Sequence, residues 1–190
     1  MYQLVRLEDS YFPVLYEWDR MEKNREHYTC RPLHPILSFE SYVQSNLEKI
    51  NGGIKEVFLL VEERSLPNPL GRIMTFDHNP RNHSKEFGYY IPPDLRGKGL
   101  GSIMVTLLLN MVFCAENELN KLYATTSSHN FPSFGLLEKI GFTLDGRLRE
   151  HYWLEDEKFD QLHYSMLQRE WNTISKGMAG IKQVKNEQDL

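Results

Sequence analysis

The sequence predicts one α/β domain, of the α+β kind, in which helices cover a central sheet. The first observation is size, because 190 residues, 41% of them hydrophobic, suffice for one buried core. The second is periodicity: stretches with the two-residue repeat of strands occur along the chain together with stretches of helical repeat. The third is the placement of turn-forming residues, because clusters of proline, glycine and asparagine separate these stretches.

Seven stretches predict strands and four predict helices. The strands are expected over residues 2–8, 56–63, 70–77, 85–91, 122–126, 142–153 and 159–167. The helices are expected over residues 10–24, 38–50, 99–118 and 130–140. Ser38 is a capping residue for the second helix, and Gly141 ends the fourth. We expect the domain to span residues 1–171 and the polar residues 172–190 to form a mobile tail.

The composition argues against nucleic acid and membranes as partners. Lys and Arg number 22 against 26 Asp and Glu, so no general basic surface exists to neutralise a phosphate backbone. The most apolar run, residues 103–115, is shorter than the roughly 20 residues that span a bilayer. The N-terminus lacks the features of a signal peptide, and the two cysteines are far apart in the sequence, so we expect a cytoplasmic protein.

A glycine-rich segment between the fourth strand and the third helix is the strongest chemical signal. It reads Arg96-Gly97-Lys98-Gly99-Leu100-Gly101-Ser102. Glycines let the main chain turn its amides outward, and a helix N-terminus adds a partial positive charge of about one half. Arg96 and Lys98 add side-chain cations. The segment therefore predicts a phosphate-binding site.

The spacing argues against two common phosphate-binding loops. A nucleotide P-loop needs four residues between its glycines followed by Gly-Lys-Ser/Thr, which this segment lacks. A dinucleotide loop needs a glycine where Ser102 stands, and its strand turns directly into the loop, whereas residues 92–94 intervene here. Taken alone, a tight connection between two elements explains these glycines equally well.

Two motifs together resemble the GNAT acetyltransferase superfamily. Arg96-x-x-Gly99-x-Gly101 is similar to its pyrophosphate loop, and Asn130-x-x-Ser133, followed by Glu138-Lys139-Ile140-Gly141-Phe142, is similar to its second conserved element. The resemblance covers nearly all of the chain except its tail. The ending from Gly146 to Trp171 looks most like the branch that contains ribosomal-protein N-terminal and spermidine acetyltransferases.

The resemblance implies a fold and a cofactor site. The fold is a mixed, mostly antiparallel sheet of about seven strands, flanked by helices on both faces and splayed between its fourth and fifth strands. The cosubstrate is acetyl-CoA, with its pyrophosphate on the amides of residues 97–102 and its pantetheine against the backbone of Tyr90 and Ile91. Asn130 and Ser133 line the thiol end, and Phe134 and Lys139 belong to the same cofactor-binding set.

Acetyl transfer needs a base for the amine, a donor for the oxyanion and a proton for the thiolate. The resemblance implies Glu86 as general base and a backbone N–H of residues 89–91 as oxyanion donor. An exposed, merely solvated Glu86 is the alternative, and His83 is a competing base. Leu137 stands where many members carry a tyrosine acid, so Ser133, a tyrosine from elsewhere such as Tyr152, or solvent must protonate the thiolate.

The acceptor is expected to be an amine on a small molecule or a protein N-terminus. Its pocket could use the aromatic residues Trp18, Tyr28 and Phe39 and the acidic residues Glu22, Glu26 and Glu40, although core packing and a solvated helix face explain them too. His78 and His83 lack a third ligand for a metal. A homodimer is left open, and a non-catalytic acyl-CoA-binding module is the alternative function.

Overall fold

The structure, a computed structural model, describes residues 1–23, 27, 29, 31, 35, 38–63, 68–114 and 118–177. It contains seven strands and five α-helices within these ranges. The strands are β1 (Tyr2–Arg6), β2 (Lys55–Glu62), β3 (Pro69–Asn79), β4 (Ser84–Tyr90), β5 (Lys121–Ser127), β6 (Thr143–Leu154) and β7 (Glu157–Leu167). The helices are α1 (Phe12–Met21), α2 (Phe39–Asn51), α3 (Leu100–Val112), α4 (Phe131–Ile140) and α5 (Gln168–Gly177).

All seven strands form one sheet in the order β1-β2-β3-β4-β5-β7-β6. Every neighbouring pair is antiparallel except β4 and β5, which are parallel. The predicted mixed, mostly antiparallel sheet of seven strands is therefore confirmed. The parallel pair lies in the middle of the sheet, because the crossover through α3 returns the chain to the β4 edge.

Both faces of the sheet are covered, and β2 shows this most clearly. Phe58 and Leu60 belong to the large core cluster with α3, whereas Leu59 and Val61 pack with α1 on the opposite face. Successive side chains of a strand point to opposite faces, so a run of buried residues requires cover on both sides. The two faces thus receive different helices and offer two different environments around one sheet.

The helix α3 is the centre of the larger cluster. Eight of its residues are buried, and the helix has no charged side chain. Its less apolar positions are accommodated inside the protein: Thr106 is buried, and the Asn110 Oδ1 accepts a 3.2 Å hydrogen bond from the Trp171 indole. No described helix combines the length and the apolar character needed to cross a membrane.

The C-terminal helix α5 continues past the expected domain boundary at residue 171. Trp171 is buried, and Ile174 packs against the large core cluster. Residues 172–177 are therefore part of an ordered helix, and residues 178–190 lie outside the described part of the chain. The mobility of the rest of the tail stays a prediction.

Candidate active site

The strand β4 is open along part of one edge. Its pairing with β5 begins at Ser84 and ends at Glu86, which lies opposite Tyr123. On its other edge, β4 stays paired with β3 as far as Tyr90. Among the described strands none pairs with residues 87–90 on the β5 side, so backbone donors and acceptors are exposed there for a ligand. The predicted splay between the fourth and fifth strands is confirmed.

The glycine-rich segment follows directly and starts α3. Gly97 and Gly99 have φ values of 77° and 78°, a left-handed conformation that favours glycine. Gly99 is the N-cap residue, and the first bond of the helix runs from the Ile103 N–H to the Gly99 carbonyl at 3.2 Å. The amides of residues 100–102 therefore precede the helical hydrogen-bond ladder, the position at which helices bind anions.

The third glycine of the segment has a packing role. A Cβ atom on Gly101 would lie 2.6 Å from the Leu136 Cδ1 and 3.7 Å from the Tyr89 Cε2. Leu136 belongs to α4, so Gly101 allows α3 and α4 to approach each other closely beside the open edge. From the sequence, all three glycines are expected to form the turn and to let the ligand approach the main chain. The close approach of Leu136 gives Gly101 an additional role in helix packing.

Arg96 is held by the protein itself. Its Nε donates a 2.9 Å hydrogen bond to the Ile91 carbonyl, and its Nη2 lies 2.6 Å from Glu22. The guanidinium also lies over the Tyr90 ring, 5.7 Å from its centroid. Arg96 thus braces the end of β4 against α1, and Glu22, expected to attract an amine, is occupied as its partner. Lys98 remains as an exposed cation in the segment.

Tyr90 takes part in the same network. Burial, with the charge and hydrogen bond of Glu22, raises its pKa to about 12. Its ring lies 5.8 Å from the Trp18 ring, and Arg72 approaches it from the neighbouring position on β3. Arg72 is itself held by two hydrogen bonds from its guanidinium to Asp19, at 2.9 and 3.0 Å. Sequence reasoning missed this anchor of α1, because nothing local pairs the two residues.

Glu86 is buried at the apex of the splay, with 6% of its surface exposed. The solvated alternative is therefore wrong. Its Oε1 accepts a 2.8 Å hydrogen bond from Thr125, and its Oε2 accepts one of 2.8 Å from Arg31. Burial raises the pKa of Glu86, as does the charge of Asp77, while the bonds from Thr125 and Arg31 oppose this shift. A buried carboxylate with a raised pKa is suited to accept a proton.

Arg31 was not singled out from the sequence. Its Nη2 also lies 2.6 Å from Asp77, and its guanidinium lies 4.7 Å from the centroid of the Phe76 ring. It reaches these residues from the connection between α1 and α2, a region of the sequence without periodicity. No sequence signal could have paired it with Glu86.

The second motif forms the opposite wall of the open edge. Asn130 caps α4, and its Oδ1 accepts a 3.3 Å hydrogen bond from the Ser133 amide. Ser133 itself is half-buried in the first turn of α4. Phe134 packs against the large core cluster, and Lys139 is exposed near the end of α4. The Asn130 cap thus fixes the position of Ser133 at the start of α4.

The other candidates lie elsewhere or are occupied. His83 stands in the turn before the paired part of β4, with its side chain 47% exposed and its Nδ1 3.9 Å from Glu118. Leu137 and Tyr152 are buried in the core, and Phe39 packs on Tyr16. Glu40 is exposed in the first turn of α2.

Some residues considered in the sequence analysis are not described by the structure. Tyr28, Glu26 and Cys30 lie outside the described part of the chain. Within the described ranges, no three His, Cys, Asp or Glu side chains form a group that could hold a metal ion.

Known proteins resemble this chain in sequence and in fold. Residues 3–143 match the family described as acetyltransferase (GNAT) domain. A prophage-derived uncharacterized N-acetyltransferase of Bacillus subtilis, YokL, is 31% identical over 136 residues, which cover 70% of this chain and 72% of that protein. A putative ribosomal N-acetyltransferase of the same organism, YdaF, is 31% identical over 53% of this chain and 55% of its own length.

A solved structure agrees in fold. Spermidine N-acetyltransferase from Vibrio cholerae, in complex with CoA and spermine, superposes with a TM-score of 0.79 at 21% identity. The superposition covers 90% of this chain and 98% of that one. The overall arrangement of strands and helices described above is thus a known fold.

Proposed function

This chain belongs to the GNAT family of acetyltransferases, and on that premise we propose that it moves acetyl from acetyl-CoA directly to a primary amine. Family membership makes it an acyltransferase that acetylates an amine, with acetyl-CoA as the acyl donor. The proposal adds that both substrates are bound together and that no acyl-enzyme forms. The acceptor is a small-molecule amine or a protein N-terminus.

One observation carries the proposal: the open edge of β4 lies beside the amino end of α3. In this arrangement the pyrophosphate of acetyl-CoA binds the amides of Gly97, Lys98, Gly99, Leu100, Gly101 and Ser102. The pantetheine amides pair with the exposed backbone near Tyr90 and Ile91, as an added strand would. Lys98 supplies a side-chain cation, while Arg96 fixes the strand end through the Ile91 carbonyl.

The base and the oxyanion donor both come from β4. Glu86, at the apex of the splay, accepts the proton of the attacking amine, directly or through a water. A backbone N–H of residues 89–91 stabilises the oxyanion as the tetrahedral intermediate forms. The C–S bond then breaks, and Ser133 supplies the proton that the departing thiolate needs.

The pKa of the acceptor amine sets the free energy that is needed to remove its proton. Making an α-amine of pKa about 8 neutral at pH 7 costs about 1.4 kcal/mol, whereas an amine of pKa about 10.4 costs about 4.6 kcal/mol. A base that is buried and has a raised pKa, as Glu86 has, can serve either class. Relatives named for ribosomal and for spermidine acetylation motivate a test with both.

The test is thiol release from acetyl-CoA with a panel of amines: spermidine, spermine, free amino acids and short peptides with free N-termini. We expect one class to give turnover that saturates. Acetyl-CoA and CoA should raise the melting temperature, and ATP and NAD should not. Binding without turnover on any amine would point to an acyl-CoA-binding module, and no binding would overturn the proposal.

A further inference from the structure

The face of the sheet that carries Glu86 lies against α1 and α2. Four side chains form a row across this face, because their residues pair directly on neighbouring strands: Lys55, Phe76, Glu86 and Tyr123. An amine that gives its proton to Glu86 lies beside this row. The charges around the row therefore limit the charge that the rest of the acceptor can carry.

Two carboxylates and one guanidinium meet at the proposed base. The Arg31 Nη2 donates hydrogen bonds of 2.8 Å to Glu86 and 2.6 Å to Asp77. With both carboxylates ionised, the three groups together carry one net negative charge. One ammonium group balances this charge, and a second one would exceed it.

The two carboxylates at the end of α1 are bound by arginines. Asp19 accepts hydrogen bonds of 2.9 and 3.0 Å from Arg72, and the Glu22 carboxylate lies 2.6 Å from the Arg96 guanidinium. The Arg72 side chain is 13% exposed and that of Glu22 is 8% exposed. An ammonium group could reach either carboxylate only by displacing an arginine from an ion pair with a buried member, which would leave a buried charge without its partner.

Aromatic rings on this face carry guanidinium groups as well. The Arg31 guanidinium carbon lies 4.7 Å from the centroid of the Phe76 ring. Those of Arg72 and Arg96 lie 5.8 and 5.7 Å from the centroid of the Tyr90 ring. Because a ring attracts a cation through its own weak quadrupole, a ring that already holds a guanidinium is a poor site for an ammonium group.

Lys55 adds a further positive charge, two strands away from the base. Its Nζ donates a 2.6 Å hydrogen bond to the Asn46 Oδ1, which is a neutral acceptor. Burial lowers the pKa of Lys55 to about 8, and the positive charges of Arg72 and Lys49 act in the same direction. Most Lys55 side chains still carry a proton at pH 7. A second ammonium group on the acceptor would therefore be repelled along the row.

We propose that the acceptor carries a single ammonium group, the one that reacts, on a body without further positive charge, and that the protein discriminates against polyamines. The inference rests on the proposed function and narrows its acceptor. The α-amine of a peptide and a simple alkylamine share this chemistry, whereas spermidine and spermine do not. Exposed carboxylates such as Glu155, in the turn between β6 and β7, are screened by solvent and change this balance little.

The experiment measures thiol release from acetyl-CoA with n-pentylamine and with cadaverine, which differ by one terminal ammonium group. We expect kcat/KM of the full-length protein to be about 10-fold lower for cadaverine at low salt, with a smaller difference at high salt. A peptide with neutral side chains and the same peptide with lysine at its second position give the corresponding comparison for an α-amine. Activity in one pair alone identifies the source of the acceptor.

Two variants test the cause of the discrimination. Arg31→Gln leaves the Asp77 carboxylate without its arginine, and Lys55→Met removes the cation beside Asn46. Each should raise the ratio of kcat/KM for cadaverine to that for pentylamine about three- to tenfold. Any effect of Arg31→Gln on the base itself is common to both amines and cancels in this ratio. Lys158→Met, at an exposed lysine of β7, is the control and should leave the ratio unchanged.

The outcomes separate this inference from the proposed function. Equal or better use of cadaverine by the wild type, or a ratio that neither variant changes, would overturn the single-ammonium inference and leave the acetyltransferase proposal intact. A wild-type protein inactive on every amine and peptide would instead remove the proposed function.

Discussion

Arg31 and Glu86 form an ion pair at the apex of the splayed strands, with the guanidinium nitrogen 2.8 Å from the carboxylate oxygen. The two residues are 55 positions apart in the sequence. Arg31 is about half exposed, whereas the Glu86 side chain is 8% exposed. The exposed guanidinium of Arg31 therefore places a positive charge beside the buried carboxylate of Glu86. The pairing links the connection between α1 and α2 to the proposed base.

Replacing Arg31 should change the pH dependence of catalysis. Its positive charge lowers the pKa of Glu86 against the effect of burial, so Arg31→Ala should raise that pKa further. Because the base must be ionised to accept a proton, the acid limb of kcat/KM should move to higher pH. Rate profiles from pH 5 to 9 measure this. Arg81→Ala, at an exposed arginine in the turn after β3, is the control, and identical profiles for all three proteins would exclude the effect.

The role of Glu86 as base predicts a large effect from a small change. Glu86→Gln keeps the size of the side chain but removes its basicity, so kcat should fall about 100-fold or more. The rise in melting temperature that CoA produces should match that of the wild type, because the cofactor cleft is unchanged. Glu118→Gln, which alters an exposed carboxylate near His83, should have no effect. Full kcat in Glu86→Gln from pH 6 to 9 would show that another group, or solvent alone, accepts the proton.

Gly101 and Gly135 offer a matched pair of substitutions. Alanine at position 101 would place its Cβ 2.6 Å from the Leu136 Cδ1, the flexible end of a side chain that can shift, so Gly101→Ala should destabilise the protein by about 1 kcal/mol. Alanine at position 135 would meet no atom within 4 Å, and Gly135→Ala should stabilise α4 by about 0.5–1 kcal/mol. Urea unfolding measures both free energies. Adding Leu136→Ala should recover part of the loss in Gly101→Ala, and fully additive effects would contradict the proposed clash.

Lys98 should contribute to cofactor binding through charge alone. It is exposed beside the amino end of α3, and an exposed cation of this kind gives a modest, salt-dependent attraction. Lys98→Ala should weaken CoA binding about two- to fivefold at low salt and less at high salt. Acetyl-pantetheine, which lacks the diphosphate, should bind both proteins equally. Calorimetry measures these affinities, with Lys49→Ala at the end of α2 as control; a loss shared by acetyl-pantetheine would assign Lys98 a different role.

Local patterns in the sequence determined much of the fold and the cofactor loop. The seven strands and the first four helices follow from periodicity, although α1 is shorter than predicted at both ends and α3 ends at Val112, six residues before the predicted end. Gly97 and Gly99 could be assigned to a turn because left-handed backbone favours glycine, and Asn130 to a helix start because its side chain can cap the helix. The helix α5 was not predicted, because its polar composition concealed the contacts that Trp171 and Ile174 make with the core.

Only the tertiary structure determined which residues contact one another in the site. The resemblance placed Glu86 and Arg96 in the site, but the partners of each come from distant segments: Arg31 and Thr125 for Glu86, and Glu22 for Arg96. The physical reason is the separation along the chain of the residues that interact. Turn geometry and capping depend on neighbours along the chain, whereas burial, ion pairs and pKa shifts depend on which surfaces the folded sheet brings together.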